Sequence, residues 1–150
     1  MKISQRIDNV VNMPDDYRRA DPPPPHSVKI ELMRTCNYRC SFCHHKDMDK
    51  STGKMDLELY CKILIELRGL GVTEVAPFFF GESFLDIRLP AAIDMAKTLG
   101  FEYVFLTTNG SAANPRSLFN CFDAGLDSLK FSLNACDHEQ FVELTKCDPA

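Results

Sequence analysis

Two kinds of apolar periodicity alternate along residues 28–144, and this alternation limits the fold more than any other feature of the chain. Val28–Met33 alternates apolar and polar residues as a strand does. Asp56 then stands as an N-cap before Leu57, Tyr60, Cys61, Leu64, Leu67 and Leu70, which recur at helical spacing until Gly69 and Gly71 stop the helix. Thr73–Phe80 reads as the second strand and Leu89–Leu99 as the second helix, closed by Gly100. Tyr103–Thr108 is the third strand. Asn114 as cap and Pro115 at the first helical position open a third helix that ends near Gly125. Ser128–Leu133 is the fourth strand, and Asp137 with Gln140 at capping-box spacing opens a fourth helix bearing Phe141 and Leu144 on one face.

Strand–helix units in series require parallel strands joined by right-handed crossovers, with helices on the outside of the sheet. The predicted class is therefore α/β. An apolar content of 45 % in 150 residues is enough for one core. We assign that domain to residues 28–150 and an N-terminal arm to residues 1–27. The arm ends in Asp21–Pro25, whose four consecutive prolines predict an extended, stiff spacer. In parallel α/β folds the loops leaving the C-terminal strand ends build the site. The return connections here are short and carry glycine. The forward loops carry Cys36–Cys43, Gly81-Glu82-Ser83, Thr107-Thr108-Asn109-Gly110, and Ser132 with Asn134.

The first forward loop reads Cys36-Asn37-Tyr38-Arg39-Cys40-Ser41-Phe42-Cys43, a CxxxCxxC pattern. Three thiolates in so short a segment can surround one metal centre and leave a coordination position to a ligand from outside. A 4Fe-4S cluster normally takes four cysteines, so one iron would lack a protein ligand. Two other readings stay open: a closed zinc site with His44 as fourth ligand, against which the adjacency of Cys43 and His44 counts, and fortuitous spacing.

These residues resemble the radical S-adenosylmethionine (radical SAM) enzymes, whose signature is CxxxCxΦC with an aromatic residue, here Phe42, before the last cysteine. The resemblance extends from Val28 to about Leu144. It implies a partial parallel (β/α) barrel, of which this chain carries about four of six strand–helix units. It also implies that Cys36, Cys40 and Cys43 ligate three irons of a 4Fe-4S cluster and that the amino and carboxylate groups of SAM chelate the fourth. Gly81 and Glu82 are similar to the family's GGEP loop, which accepts hydrogen bonds from the SAM amino group, although Phe80 replaces its first glycine and Ser83 its proline. Thr108 and Asn109 are similar to a TNG segment lining the pocket. Ser132 and Asn134 match strand-four positions that contact the SAM ribose and carboxylate.

The implied chemistry is one-electron reduction of bound SAM to methionine and a 5'-deoxyadenosyl radical, which abstracts hydrogen from a substrate. An electron donor such as flavodoxin or ferredoxin is the implied partner. Peptides are the substrate class suggested by analogy with similar strand-two loops. A four-unit chain is expected to be a truncated or split member. Its fourth strand is an edge for a further chain or segment to cover, and an incomplete module acting with a partner chain is the alternative reading.

A net charge of -4 and the lack of a basic run argue against nucleic acid or an anionic membrane as partner. The charged N-terminal arm has no apolar signal core and the chain no membrane-length apolar run, so a cytoplasmic location is expected. Seven cysteines in such a chain suit a reducing compartment. Cys61 and Cys121 fall on apolar helix positions and are expected to be buried. Cys136 and Cys147 lack a CxxC partner, so no second cluster is expected. His44 and His45 read as loop polar residues, and Phe78, Phe79 and Phe80 as core and pocket wall.

Overall fold

The computed structural model describes residues 14–48 and 53–147. Strands β1 (Ser27–Lys29), β2 (Glu74–Ala76), β3 (Tyr103–Thr108) and β4 (Ser128–Phe131) form one sheet in the order β1-β2-β3-β4. All pairs are parallel, with Val28 beside Val75, Val75 beside Val104, and Leu106 beside Leu129. Helices α1 (Leu57–Gly69), α2 (Leu89–Thr98), α3 (Pro115–Asp123) and α4 (His138–Thr145) follow the strands in turn. This is the α/β architecture expected of a partial barrel. A sheet in sequence order results when every crossover has the same hand and adds its strand to the same edge.

The core lies between the sheet and the first three helices. Val75, Val104 and Leu106 from the strands meet Tyr60 and Leu64 of α1, Ile93 and Ala96 of α2, and Cys121 of α3, all buried. Removing one Leu, Ile or Val side chain of this size from water contributes about 1.5–3 kcal/mol. The helix starts follow the expected caps. Asp56 accepts from Glu58 N–H, Asn114 from Ser117 N–H and Asp137 from Gln140 N–H, each worth about 1 kcal/mol. Gln140 completes its reach backward one residue further than a capping box, taking the Cys136 N–H at 2.8 Å. Gly71 and Gly100 end α1 and α2 at φ of 88° and 85°, a conformation that side-chain-bearing residues resist.

Several boundaries differ from the sequence reading. β2 stops at Ala76 because Pro77 has no N–H to give the ladder, and Phe78 N–H turns back onto the Ala76 carbonyl at 2.8 Å. β1 loses its ladder partner at the same level, after Ile30 N–H reaches Ala76 O at 2.9 Å. Ile30, Leu32 and Met33 nevertheless stay buried, and Met33 bridges Lys54 in antiparallel fashion. β4 ends at Phe131, and Ser132 adds a last bond to Thr108 O at 2.8 Å. Cys121 is buried as expected, whereas Cys61 is half-buried and Leu70, beyond the last helical residue, is exposed.

The last helix also departs from expectation. Instead of lying with α1–α3 against the outside of the sheet, the end of α4 is bonded to the cysteine loop. Leu144 O accepts Ser41 N–H at 2.8 Å and Thr145 O accepts Arg39 N–H at 3.0 Å. The Phe141 ring stands edge-on to Tyr38 at 5.6 Å and 84°. The segment Ser132–Asp137 carries the chain over the strand ends, so α4 becomes a wall of the site. No helix among the described residues is long and apolar enough to cross a membrane.

Candidate cofactor site

The four forward loops meet in a cavity of about 210 Å³ at the C-terminal ends of the strands. Cys36, Cys40, Cys43, Phe42, Gly81, Glu82, Thr108, Asn109, Ser132 and Asn134 all line it. Sequence reasoning had selected these residues from four separate stretches, and the sheet brings them to one place. Phe78, Phe79 and Phe80 form part of the wall, as expected, but only Phe78 packs against the core and Phe79 is exposed. His44 opens a short 3-10 turn, His44–Asp47, and does not line the cavity. His45 instead bonds the Arg34 carbonyl at 2.6 Å.

The cysteine loop is held at its entrance and along its middle. At its entrance, Thr35 O accepts Glu82 N–H at 2.9 Å. A side chain at Gly81 has no room, since a Cβ there would lie 1.9 Å from the Met33 carbonyl oxygen. Glycine at this position lets the loop after β2 lie directly against the run into Cys36. Glu31 locks the same contact from the other side: its Oε1 accepts the N–H groups of Phe80 and Gly81 at 2.8 and 2.9 Å. Within the loop Cys43 N–H closes a turn onto Cys40 O at 3.0 Å, and the Arg39 and Ser41 N–H groups tie the middle of the loop to α4.

Glu82 is buried, and an isolated carboxylate there would cost several kcal/mol. Three donors satisfy it. Oε1 takes Phe84 N–H at 3.1 Å and the Thr108 hydroxyl at 2.6 Å, while Oε2 takes Asn109 N–H at 2.7 Å. The loops after β2 and β3 are thereby joined under the cavity floor. Burial pushes the Cys36 thiol above its ordinary pKa, and the negative charges of Glu82, Cys40 and Cys43 add to that. The Cys40 thiol is raised by burial and by Cys43 and Cys147.

Sequence reasoning missed Glu31, Asn37 and Ser111, as well as the α4 wall of Phe141, Leu144 and Thr145. Glu31 had a readable signal, a carboxylate facing opposite Ile30 and Leu32 in a strand expected to be covered on both sides. The α4 wall had none, because only the path of the preceding loop puts it there.

A family profile described as the radical SAM superfamily matches residues 30–148. The chain belongs to the radical SAM superfamily. Among curated relatives, it is 34 % identical over 122 residues to GTP 3',8-cyclase of Chlorobaculum tepidum, covering 81 % of this chain and 36 % of that protein. It is 31 % identical over 141 residues to a probable GTP 3',8-cyclase of Metallosphaera sedula, covering 91 % of this chain and 41 % of the relative. This radical SAM chain thus spans well under half the length of these relatives. Among solved structures, Streptococcus suis SuiB bound to precursor peptide SuiA superposes with a TM-score of 0.71 at 18 % identity, covering 85 % of this chain and 28 % of that one. BtrN in complex with AdoMet and 2-DOIA superposes at 0.66 with 24 % identity, covering 79 % and 50 %. At these identities the two structures establish the shared fold.

The donor set fits the cluster that radical SAM proteins generally use. Cys36, Cys40 and Cys43 are free thiols around one cavity. Among the described residues no three His, Cys, Asp or Glu side chains are gathered tightly enough for a single metal ion. With His44 outside the cavity lining, a closed Cys3His zinc site has no support in this geometry.

Proposed function

We propose that this chain forms the cluster- and SAM-binding part of a radical SAM enzyme of the GTP 3',8-cyclase type. In this reading Cys36, Cys40 and Cys43 hold the 4Fe-4S cluster, and Phe42, Gly81, Glu82, Thr108, Asn109, Ser132 and Asn134 line the SAM pocket. The bound pair supplies one-electron cleavage of SAM to a 5'-deoxyadenosyl radical. The chain's own work is to hold and orient. The backbone at Gly81 and Glu82 presents polar atoms for the SAM amino group, and Ser132 and Asn134 offer a hydroxyl and an amide to the ribose and carboxylate. Tyr38, Phe141 and Leu144 form an apolar wall that limits water around a reactive carbon.

The observation that carries the reading is the meeting of three free thiols with polar residues from three further strand ends in one cavity. The GTP reading rests on the names of the curated relatives. It replaces a peptide as the preferred substrate, since the peptide-bound neighbour is 18 % identical and speaks for fold alone. Residues 28–150 act as the N-terminal part of the core domain. A ferredoxin or flavodoxin in the cytoplasm supplies the electron.

Anaerobic reconstitution with iron and sulfide tests the proposal. We expect about four irons per chain and an electron paramagnetic resonance signal that changes on adding SAM. A zinc-loaded protein, or a signal indifferent to SAM, would reject it. Adding SAM, GTP and dithionite to the reconstituted protein tests the substrate, with consumption of SAM and GTP and formation of methionine and 5'-deoxyadenosine as the expected outcome.

A further inference from the structure

Asn109 donates from Nδ2 to Cys36 Sγ at 3.9 Å and to Asn37 Oδ1 at 3.1 Å. The amide has two hydrogens, so each acceptor receives one. Its orientation is fixed independently, because Asn109 Oδ1 accepts the Ser111 backbone N–H at 2.9 Å, and a backbone nitrogen can only donate. Oδ1 also takes the Ser111 hydroxyl at 2.7 Å, and Ser111 Oγ in turn accepts Asn37 Nδ2 at 2.7 Å. The three side chains therefore close a ring with one donated proton per link: Asn37 to Ser111, Ser111 to Asn109, Asn109 to Asn37. The second Asn109 amide proton points at the sulfur.

We propose that the Asn37–Ser111–Asn109 ring is a positioning device that aims one N–H at the Cys36 sulfur and so raises the reduction potential of the cluster that Cys36 helps to hold. The inference rests on the cluster reading above. A hydrogen bond to a ligating sulfur draws off negative charge. Reduction adds negative charge, so the bond is stronger in the reduced state and favours it. Glu82 works in the opposite sense. Its negative charge acts on the same sulfur and disfavours added charge, and the Asn109 side chain offsets it while the Asn109 backbone N–H binds the carboxylate directly. Asn109 thus links the two opposing influences on Cys36. Asn37 and Ser111 are exposed and outside the cavity lining, so their substitution removes no side chain that lines it.

The test is a redox titration of the reconstituted chain followed by electron paramagnetic resonance, on wild type, Asn37→Ala, Ser111→Ala, Ser111→Thr and Asn109→Ala. Asn109→Ala is expected to lower the equilibrium constant for reduction by about tenfold, which is about 59 mV for a one-electron couple. Asn37→Ala and Ser111→Ala are expected to lower it about two- to fivefold, a fraction of that shift. Ser111→Thr keeps the hydroxyl and retains the wild-type potential. Iron and sulfide content equal to wild type separates this from simple loss of the site, and if Asn109→Ala does not load, the two ring variants decide. Loaded Asn37→Ala and Ser111→Ala proteins with wild-type potentials overturn the inference while leaving the cluster proposal standing. A wild-type chain that binds no cluster overturns both.

Discussion

Glu82 Oε2 accepts the backbone N–H of Asn109 at 2.7 Å, joining residues 27 positions apart beneath the cavity. With Thr108 on Oε1 at 2.6 Å, one buried carboxylate fastens the end of β3 to the loop after β2. Glu82→Gln replaces one acceptor oxygen with an NH2 facing a donor. We expect a loss of about 1–3 kcal/mol in urea unfolding and a weaker response of the loaded cluster to SAM.

Gly81 lies so close to Met33 O that a methyl group there displaces backbone. Gly81→Ala should cost about 1–3 kcal/mol, as overpacking does, and should also disturb the two N–H bonds to Glu31 and the Glu82–Thr35 bond. Cluster loading is expected to fall with stability, measured as iron per chain against the unfolding midpoint.

Burial pushes the Asp86 carboxyl up, but hydrogen bonds from the Arg88 side chain and backbone N–H, at 2.6–3.2 Å, outweigh it and hold the group below its ordinary value. A depressed folded-state pKa means the unfolded chain binds the proton first. The stability is present above the unfolded pKa of about 3.9 and is lost as pH falls through the lower folded value. Asp86→Asn should cost about 2 kcal/mol at pH 7 and flatten the acid limb of a stability–pH curve below about pH 4.

The metal-free thiols of Cys36 and Cys40 are raised by burial and by neighbouring negative charge, so they are protonated at neutral pH. Ligation requires the thiolate and releases protons. Reconstitution should therefore quicken between about pH 7 and 9. Cys36→Ser, Cys40→Ser and Cys43→Ser should each prevent stable loading, read as iron and sulfide content. Cys147→Ser, although its residue influences Cys40, should load as wild type does.

Element type was legible where local chemistry and tertiary demand agreed. Asp56, Asn114 and Asp137 cap the helices they were expected to cap, and β3 has the predicted bounds. Strand ends were less legible because they depend on the neighbouring strand: Pro77 ends β2 and thereby β1. Asn109 stands in the Thr-Asn-Gly segment that the sequence singled out, but its ring with Asn37 and Ser111 exists only because two loops far apart in sequence meet.

By itself the sequence determined the alternation of strands and helices, the three thiols and the polar forward loops, since each rests on bonds or spacing within a few residues. Only the tertiary structure decided that α4 would wall the cavity, that Gly81 would lie against Met33, and that Glu82 would serve two loops. Those outcomes depend on the path of the chain between distant segments, where backbone sterics and the need to satisfy a buried carboxylate act across the sheet.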